Sequence, residues 1–134
     1  MAPPRPLPKP TPETRHFWEG TAVGELRLQR CRACDQTYFP PQPFCPKCAS
    51  DDVEVVRASG RGSLYGYVIT HRAASGFKAP YVIAEVELEE GPRMLSNLVG
   101  VDPDPEQLAL DQPLEVTFEV VDDVTLPHFR PRSA

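Results

Sequence analysis

Four cysteines constrain this chain more than any other feature of its sequence. They stand as Cys31-Arg-Ala-Cys34, ten residues, then Cys45-Pro-Lys-Cys48, and they are the only cysteines in the protein. Two C-x-x-C pairs this close place four thiolates on the tips of two facing loops, within reach of one tetrahedral ion. A site with four protein ligands has no open position and is structural, whereas a catalytic zinc keeps one position for water. The predicted ligands are therefore Cys31, Cys34, Cys45 and Cys48, and the predicted ion is a structural Zn2+. No thiol is left for catalysis.

Size and charge narrow the reading further. The 134 residues suit one domain, or a small domain with an appended module. No apolar run approaches bilayer length, and the first residues lack the charged-then-apolar pattern of a secretory signal. With cysteines spaced as metal ligands, this predicts a reducing, cytoplasmic setting and disfavours two disulfides in a secreted protein. The net charge is −5 and uneven: residues 1–59 carry eight Lys/Arg against seven Asp/Glu, residues 60–134 six against twelve. A nucleic-acid binder normally shows a basic docking face.

Along the chain, residues 1–11 read as a proline-rich flexible tail, with proline at 3, 4, 6, 8 and 10. Residues 12–52 read as an N-terminal helix and a metal-pinned ribbon. Thr11 is the expected N-cap and Pro12 the first helical residue, and the helix should stop at Gly24 with Phe17, Trp18 and Ala22 on its apolar side. Leu26 and Leu28 alternate with polar neighbours and lead into Cys31. Residues 53–134 change to a period of two. Leu64–Ile69 is β-rich with a glycine suited to a bulge, and Val82, Ala84, Val86 and Leu88 oppose Ile83, Glu85, Glu87 and Glu89. Arg93–Val99 returns the chain, a short helix is expected from Asp102 through Leu110, and Leu114, Val116, Phe118 and Val120 alternate again. The fold class is mainly β, a ribbon followed by a five-stranded Greek-key barrel of the OB type, with a small open sandwich as the runner-up.

The motifs, read in order, resemble one family. They are Phe17-Trp18-Glu19, Gly24-Glu-Leu26 leading to Gln29-Arg30-Cys31, Cys34 before Phe39-Pro40-Pro41, and Cys45-Pro46-x-Cys48. Gly60-Arg-Gly62, Pro80-Tyr81-Val82, Glu87-Leu-Glu-Glu-Gly91 and Leu126-Pro-x-Phe129 continue the series over about residues 12–131. The chain thereby resembles the zinc-ribbon-plus-OB-fold proteins that accompany thiolase-like enzymes, long known only as a domain of unknown function. The resemblance implies a rubredoxin-like ribbon and a non-catalytic accessory or scaffold subunit. Such a subunit docks on a thiolase, an acyltransferase or an acyl-CoA aldolase and supports carbon–carbon bond formation or cleavage. It also implies a hetero-oligomer, contact with acyl-CoA, and a second pathway enzyme such as a hydratase. The family often has glycine after each cysteine pair and near the last strand. Here Asp35, Ala49 and Leu110-Asp111-Gln112 stand there, which puts the shape of those loops in question.

Two competitors remain. Iron shares the four-thiolate tetrahedron, but rubredoxin-type electron carriers stand nearly alone and space their pairs further apart. A nucleic-acid-binding ribbon and OB fold is the alternative function, with Tyr65, Tyr67 and Phe77 as stacking residues, and the acidic barrel half argues against it. The expected partners therefore exclude nucleic acid and membrane. His16, His71 and His128 share no local motif and read as surface or interface residues. No carboxylate lies between Glu54 and Glu85, while Arg57, Arg61, Arg72 and Lys78 do. That hairpin region is the candidate face for CoA phosphates or an acidic partner, with Gly60 and Gly62 allowing close backbone approach. Phe129, with Leu126 and Pro127, is expected either to form a docking strip or to close the barrel.

Overall fold

The computed structural model describes residues 6–72 and 76–133; residues 1–5 of the proline-rich segment lie outside them. Helix α1 spans Arg15–Ala22, so it begins three residues after the expected Pro12. Residues 12–14 form a turn instead, in which the Thr14 N–H donates to the Thr11 carbonyl at 3.1 Å and the two threonine hydroxyls lie 3.1 Å apart. The helix stops as expected. Gly24 sits at φ 78, the Glu25 N–H donates to the Gly20 carbonyl at 2.8 Å and the Gly24 N–H to Thr21 at 3.1 Å, a Schellman ending. Phe17, Gly20 and Thr21 are buried, while Ala22 is exposed, because it lies about 140° around the helix from Phe17.

Strands β1 (Arg27–Cys31), β2 (Thr37–Tyr38) and β3 (Val53–Arg57) form a small antiparallel sheet in the order β2-β1-β3. The register sets Cys31 opposite Val53 and Gln29 opposite both Tyr38 and Val55. Residues 53–57 therefore belong to the sheet that carries the first cysteine pair. Five further strands close a barrel in the order β4-β5-β6-β8-β7: β4 (Arg61–Thr70), β5 (Tyr81–Leu88), β6 (Arg93–Leu98), β7 (Pro113–Val121) and β8 (Val124–Pro131). All neighbours are antiparallel except β6 and β8, which run parallel at Leu98 and Phe129. The fold is mainly β, with a closed barrel and not an open sandwich.

The alternation read from β5 sets its faces. Val82, Ala84, Val86 and Leu88 are each 2% exposed or less, and burying a Val or Leu side chain contributes about 1.5–3 kcal/mol. Leu64 pairs with Val86 and Gly66 with Glu85, so Tyr65 is the extra residue of a bulge that bends β4. The expected helix through Leu110 shrinks to one 3-10 turn, Pro105–Gln107, capped by Asp104 Oδ1 accepting from the Glu106 N–H at 2.9 Å. Leu108 then turns extended and is buried, and Leu110 is 62% exposed. Phe129 is fully buried opposite Val116. It closes the barrel, and its assignment to a docking surface is corrected. Phe17, Leu26 and Leu28 share one core with Leu64, Leu114 and Phe129, so helix, ribbon strand and barrel are packed as a unit.

Candidate functional site

The two cysteine loops repeat one hydrogen-bond pattern. In the first, the Asp35 N–H donates to the Cys31 carbonyl and the Cys31 N–H to the Gln36 carbonyl, both at 2.8 Å. In the second, the Ala49 N–H donates to the Cys45 carbonyl and the Cys45 N–H to the Ser50 carbonyl, both at 2.9 Å. Each loop closes through a left-handed residue, Asp35 at φ 63 and Ala49 at φ 64. Asp111 does the same at φ 66. The positions where the family favours glycine thus keep glycine's backbone here without its side chain.

This symmetry brings the four sulfurs together. Cys31 Sγ lies 3.6 Å from Cys48 Sγ and Cys34 Sγ 3.6 Å from Cys45 Sγ, and all four lie within 4.8 Å of one another. A tetrahedron with Zn–S bonds of about 2.3 Å has edges near 3.8 Å, whereas a disulfide requires about 2.05 Å. The cluster fits a structural zinc. Cys31 and Cys45 are buried and Cys48 is exposed. The Lys47 N–H donates to Cys45 Sγ at 3.3 Å, as expected for a thiolate acceptor.

The four thiols also compete for charge. At Cys45, burial opposes ionisation, but the backbone N–H groups of Cys48 and Lys47 and the neighbouring Cys34 and Cys48 thiols outweigh it and bring the group down to about 7. At Cys34, the Gln36 backbone favours the thiolate, yet burial and the other three thiols push it up to about 12. A divalent cation removes that conflict by neutralising sulfurs that cannot all ionise in its absence. Around the ribbon, Arg30 pairs with Asp35 and, at 2.9 Å, with Glu54, while Arg32 reaches Glu54 and Asp52 at 3.2 Å each. Hydrogen bonds from Arg30 and then Arg32 hold the Glu54 carboxyl below its ordinary range.

The proposed cationic face divides. Arg61 opens β4 and Arg72 lies two residues beyond its other end, so the ten-residue strand stands between them. Arg57 lies 4.0 Å from Glu25, and Arg61 lies 4.0 Å from Glu89, so both face carboxylates of this chain. Arg72 and Lys78 are exposed at the far end of the β4–β5 hairpin. The glycines serve packing: a Cβ on Gly62 would sit 2.5 Å from the Glu87 carbonyl, and one on Gly60, at φ 80, 2.6 Å from Val116. They permit barrel strands, not a ligand, to approach. His71 is exposed at the end of β4, and His128 is buried in β8 with Nε2 3.7 Å from Glu119 Oε2.

A surface that sequence reading missed lies on the outside of β4, β5 and β6. Val68 is 62% exposed and Leu95 71%, and between them stands Ile83, paired with Val68 and two residues from Glu85, the partner of Leu95. The available signal was Ile83 itself, an aliphatic residue in a row otherwise made of glutamates.

Comparison with known proteins places this architecture. Residues 18–54 match the family described as ChsH2, rubredoxin-like zinc ribbon domain, and residues 55–119 match ChsH2, C-terminal OB-fold domain. The chain is 39% identical over 128 residues to a probable enoyl-CoA hydratase alpha subunit of Thermomonospora curvata, covering 95% of this chain and 40% of that protein. It therefore spans about two fifths of the length of that relative. It is 34% identical over 98 residues to the benzoylsuccinyl-CoA thiolase subunit BbsA of Thauera aromatica, covering 73% of this chain and 66% of that one. Among solved structures, a chain of the Ltp2-ChsH2(DUF35) aldolase superposes with a TM-score of 0.83 at 37% identity, covering 93% of this chain and 98% of that chain. With ribbon and barrel both matched, this chain belongs to the ChsH2 (DUF35) family, a rubredoxin-like zinc ribbon joined to an OB-fold domain.

Proposed function

We propose that this protein is a non-catalytic accessory subunit that docks on a thiolase-like enzyme of acyl-CoA carbon–carbon bond formation or cleavage. The observation that carries the reading is the exposed apolar face of β4, β5 and β6, built around Val68, Ile83 and Leu95. Val120 and Leu110 are exposed elsewhere on the barrel, but Val68, Ile83 and Leu95 lie on three adjacent strands, and a contiguous apolar surface marks a protein–protein contact. The metal cluster points the same way, because four cysteine ligands leave no position for a substrate. Relatives named as a thiolase subunit and as part of an aldolase support the class of partner. The ribbon and barrel present a rigid face, and the partner supplies the nucleophile or the acid and base. Arg72 and Lys78, at the end of the β4–β5 hairpin, are the residues we assign to CoA phosphates or to an acidic strip of the partner. A hydratase as a further member of the assembly is supported by the hydratase relative.

Affinity purification of the tagged protein from its native host tests this reading. Recovery of a thiolase-like enzyme supports it; recovery of RNA or a ribosomal protein in its place rejects it. Replacing Arg72 and Lys78 together by Ala should weaken partner activation or CoA affinity, and unchanged values in both assays remove these two residues from the site.

A further inference from the structure

A groove of about 310 Å3 runs between α1, the ribbon loop and the barrel. Phe17, Trp18, Phe39, Phe77 and Pro127 are among its walls, and Pro6 of the proline-rich segment stands at its rim. The aromatic wall is continuous: the Phe17 ring stands 4.9 Å from Trp18 and 5.4 Å from Phe39, centroid to centroid. The rest of the same segment faces the β7–β8 hairpin across a second cleft, of about 370 Å3, with Leu7, Pro8, Lys9 and Pro10 on one side and Asp123 and Val124 on the other. The segment thus bridges two sites on the folded body, and its composition suits both. Proline at every second position from 6 to 12 restricts the backbone to extended conformations and lowers the entropy lost on docking. Aromatic-lined grooves are the usual receptors for such segments. Lys9 brings a cation to the end of the hairpin that carries Asp122 and Asp123.

We infer that this chain's own residues 6–10 dock on the folded body as an intramolecular ligand, with Pro6 at the rim of the aromatic groove beside Trp18 and Leu7–Pro10 along the β7–β8 hairpin. The segment, read from sequence as a flexible tail, is then a docked one. The groove adjoins the proposed docking face, since Leu95 lines both, but the Trp18 readout below uses the isolated chain and needs no partner enzyme.

Trp18 is the protein's single tryptophan, so its fluorescence reports this groove without added label. The experiment compares the full zinc-loaded chain with a Pro6→Asp, Pro8→Asp variant, each titrated with a synthetic peptide of residues 1–12. The expected result is a red shift and stronger acrylamide quenching of Trp18 in the variant. Added peptide should reverse both with saturation, while the unsubstituted chain ignores the peptide. A Lys9→Glu variant should fall between the two. Unchanged Trp18 emission and quenching in the double variant would overturn the inference. So would increased quenching that the peptide fails to reverse, since that result means general loosening around α1. Reversal by decanoate and not by the peptide makes the groove a small-molecule site and also overturns it.

Discussion

Ala49 shows how a single backbone angle carries information that the side chain conceals. At φ 64 it closes the second cysteine loop in a conformation that costs an L-residue about 1 kcal/mol and glycine almost nothing. Asp35 meets the same demand in the first loop with a residue that tolerates it better and that also pairs with Arg30. Ala49→Gly should therefore stabilise the zinc-loaded protein by about 0.5–1 kcal/mol, read as a higher denaturant midpoint with unchanged slope. Asp35→Gly should gain less, because it gives up the Arg30 contact; an equal gain at both positions would mean that the ion pair contributes nothing. The resemblance made these loops legible as glycine-like positions, but only the folded backbone shows that non-glycine residues adopt the glycine conformation. His16 supports a second prediction at this scale. Burial, and then the nearby Arg27, lower its pKa from the ordinary 6.5, with Glu19 opposing. The folded chain therefore binds fewer protons than the unfolded chain just below that value, and stability falls as pH drops from about 6.5 through the depressed pKa. His16→Gln should flatten the melting temperature over that window; an unchanged slope would assign the dependence to other groups.

Among the elements, the ribbon depends most on something other than packing. Its sheet consists of strands of five, two and five residues, too little apolar surface to hold two loops in register. The metal replaces the missing core, so binding energy there is folding energy. The ribbon does not stand apart from the barrel, because Leu26 and Leu28 at β1 and Phe17 on α1 pack in the barrel's own core, and the Ala58 N–H donates to the Leu26 carbonyl at 2.8 Å. Cys45→Ser, at a buried ligand, should abolish zinc retention and lower the melting temperature of the whole chain in a single transition, measured by zinc content and circular dichroism. Two separated transitions would show that the barrel ignores the ribbon. Legibility in sequence follows the same physics. The alternation of β5 states both of its faces because each face meets one environment, and the Gly24 stop is fixed by local geometry. The start of α1 and the fate of Asp102–Leu110 were not legible, since both turn on tertiary competition: the Thr11–Thr14 turn displaced the expected cap, and burial of Leu108 ended the helix after one turn.

At the level of the whole molecule, the arrangement separates what must stay dry from what is left for another protein. The inner face of the barrel is filled, down to a fully buried Phe129 that closes β8 against β6 and β7. The outer face of β4, β5 and β6 keeps Val68 and Leu95 in solvent, and it is the face proposed above as the docking surface. These two faces predict opposite phenotypes. Replacing Phe129 by Ala opens a cavity in the shared core and should destabilise the chain by about 3–5 kcal/mol, with partner binding lost only because the fold is lost. Val68→Asp with Leu95→Asp changes no buried contact, so the melting temperature and zinc content should stay within error of the parent, since exposed substitutions typically shift stability by less than about 0.5 kcal/mol. Recovery of the partner enzyme in affinity purification should nevertheless disappear, because two carboxylates would then have to be desolvated at the centre of the contact. Undiminished recovery with this double variant would move the docking surface elsewhere on the barrel. Lost recovery accompanied by a lower melting temperature would show that these side chains pack more than their exposure indicates.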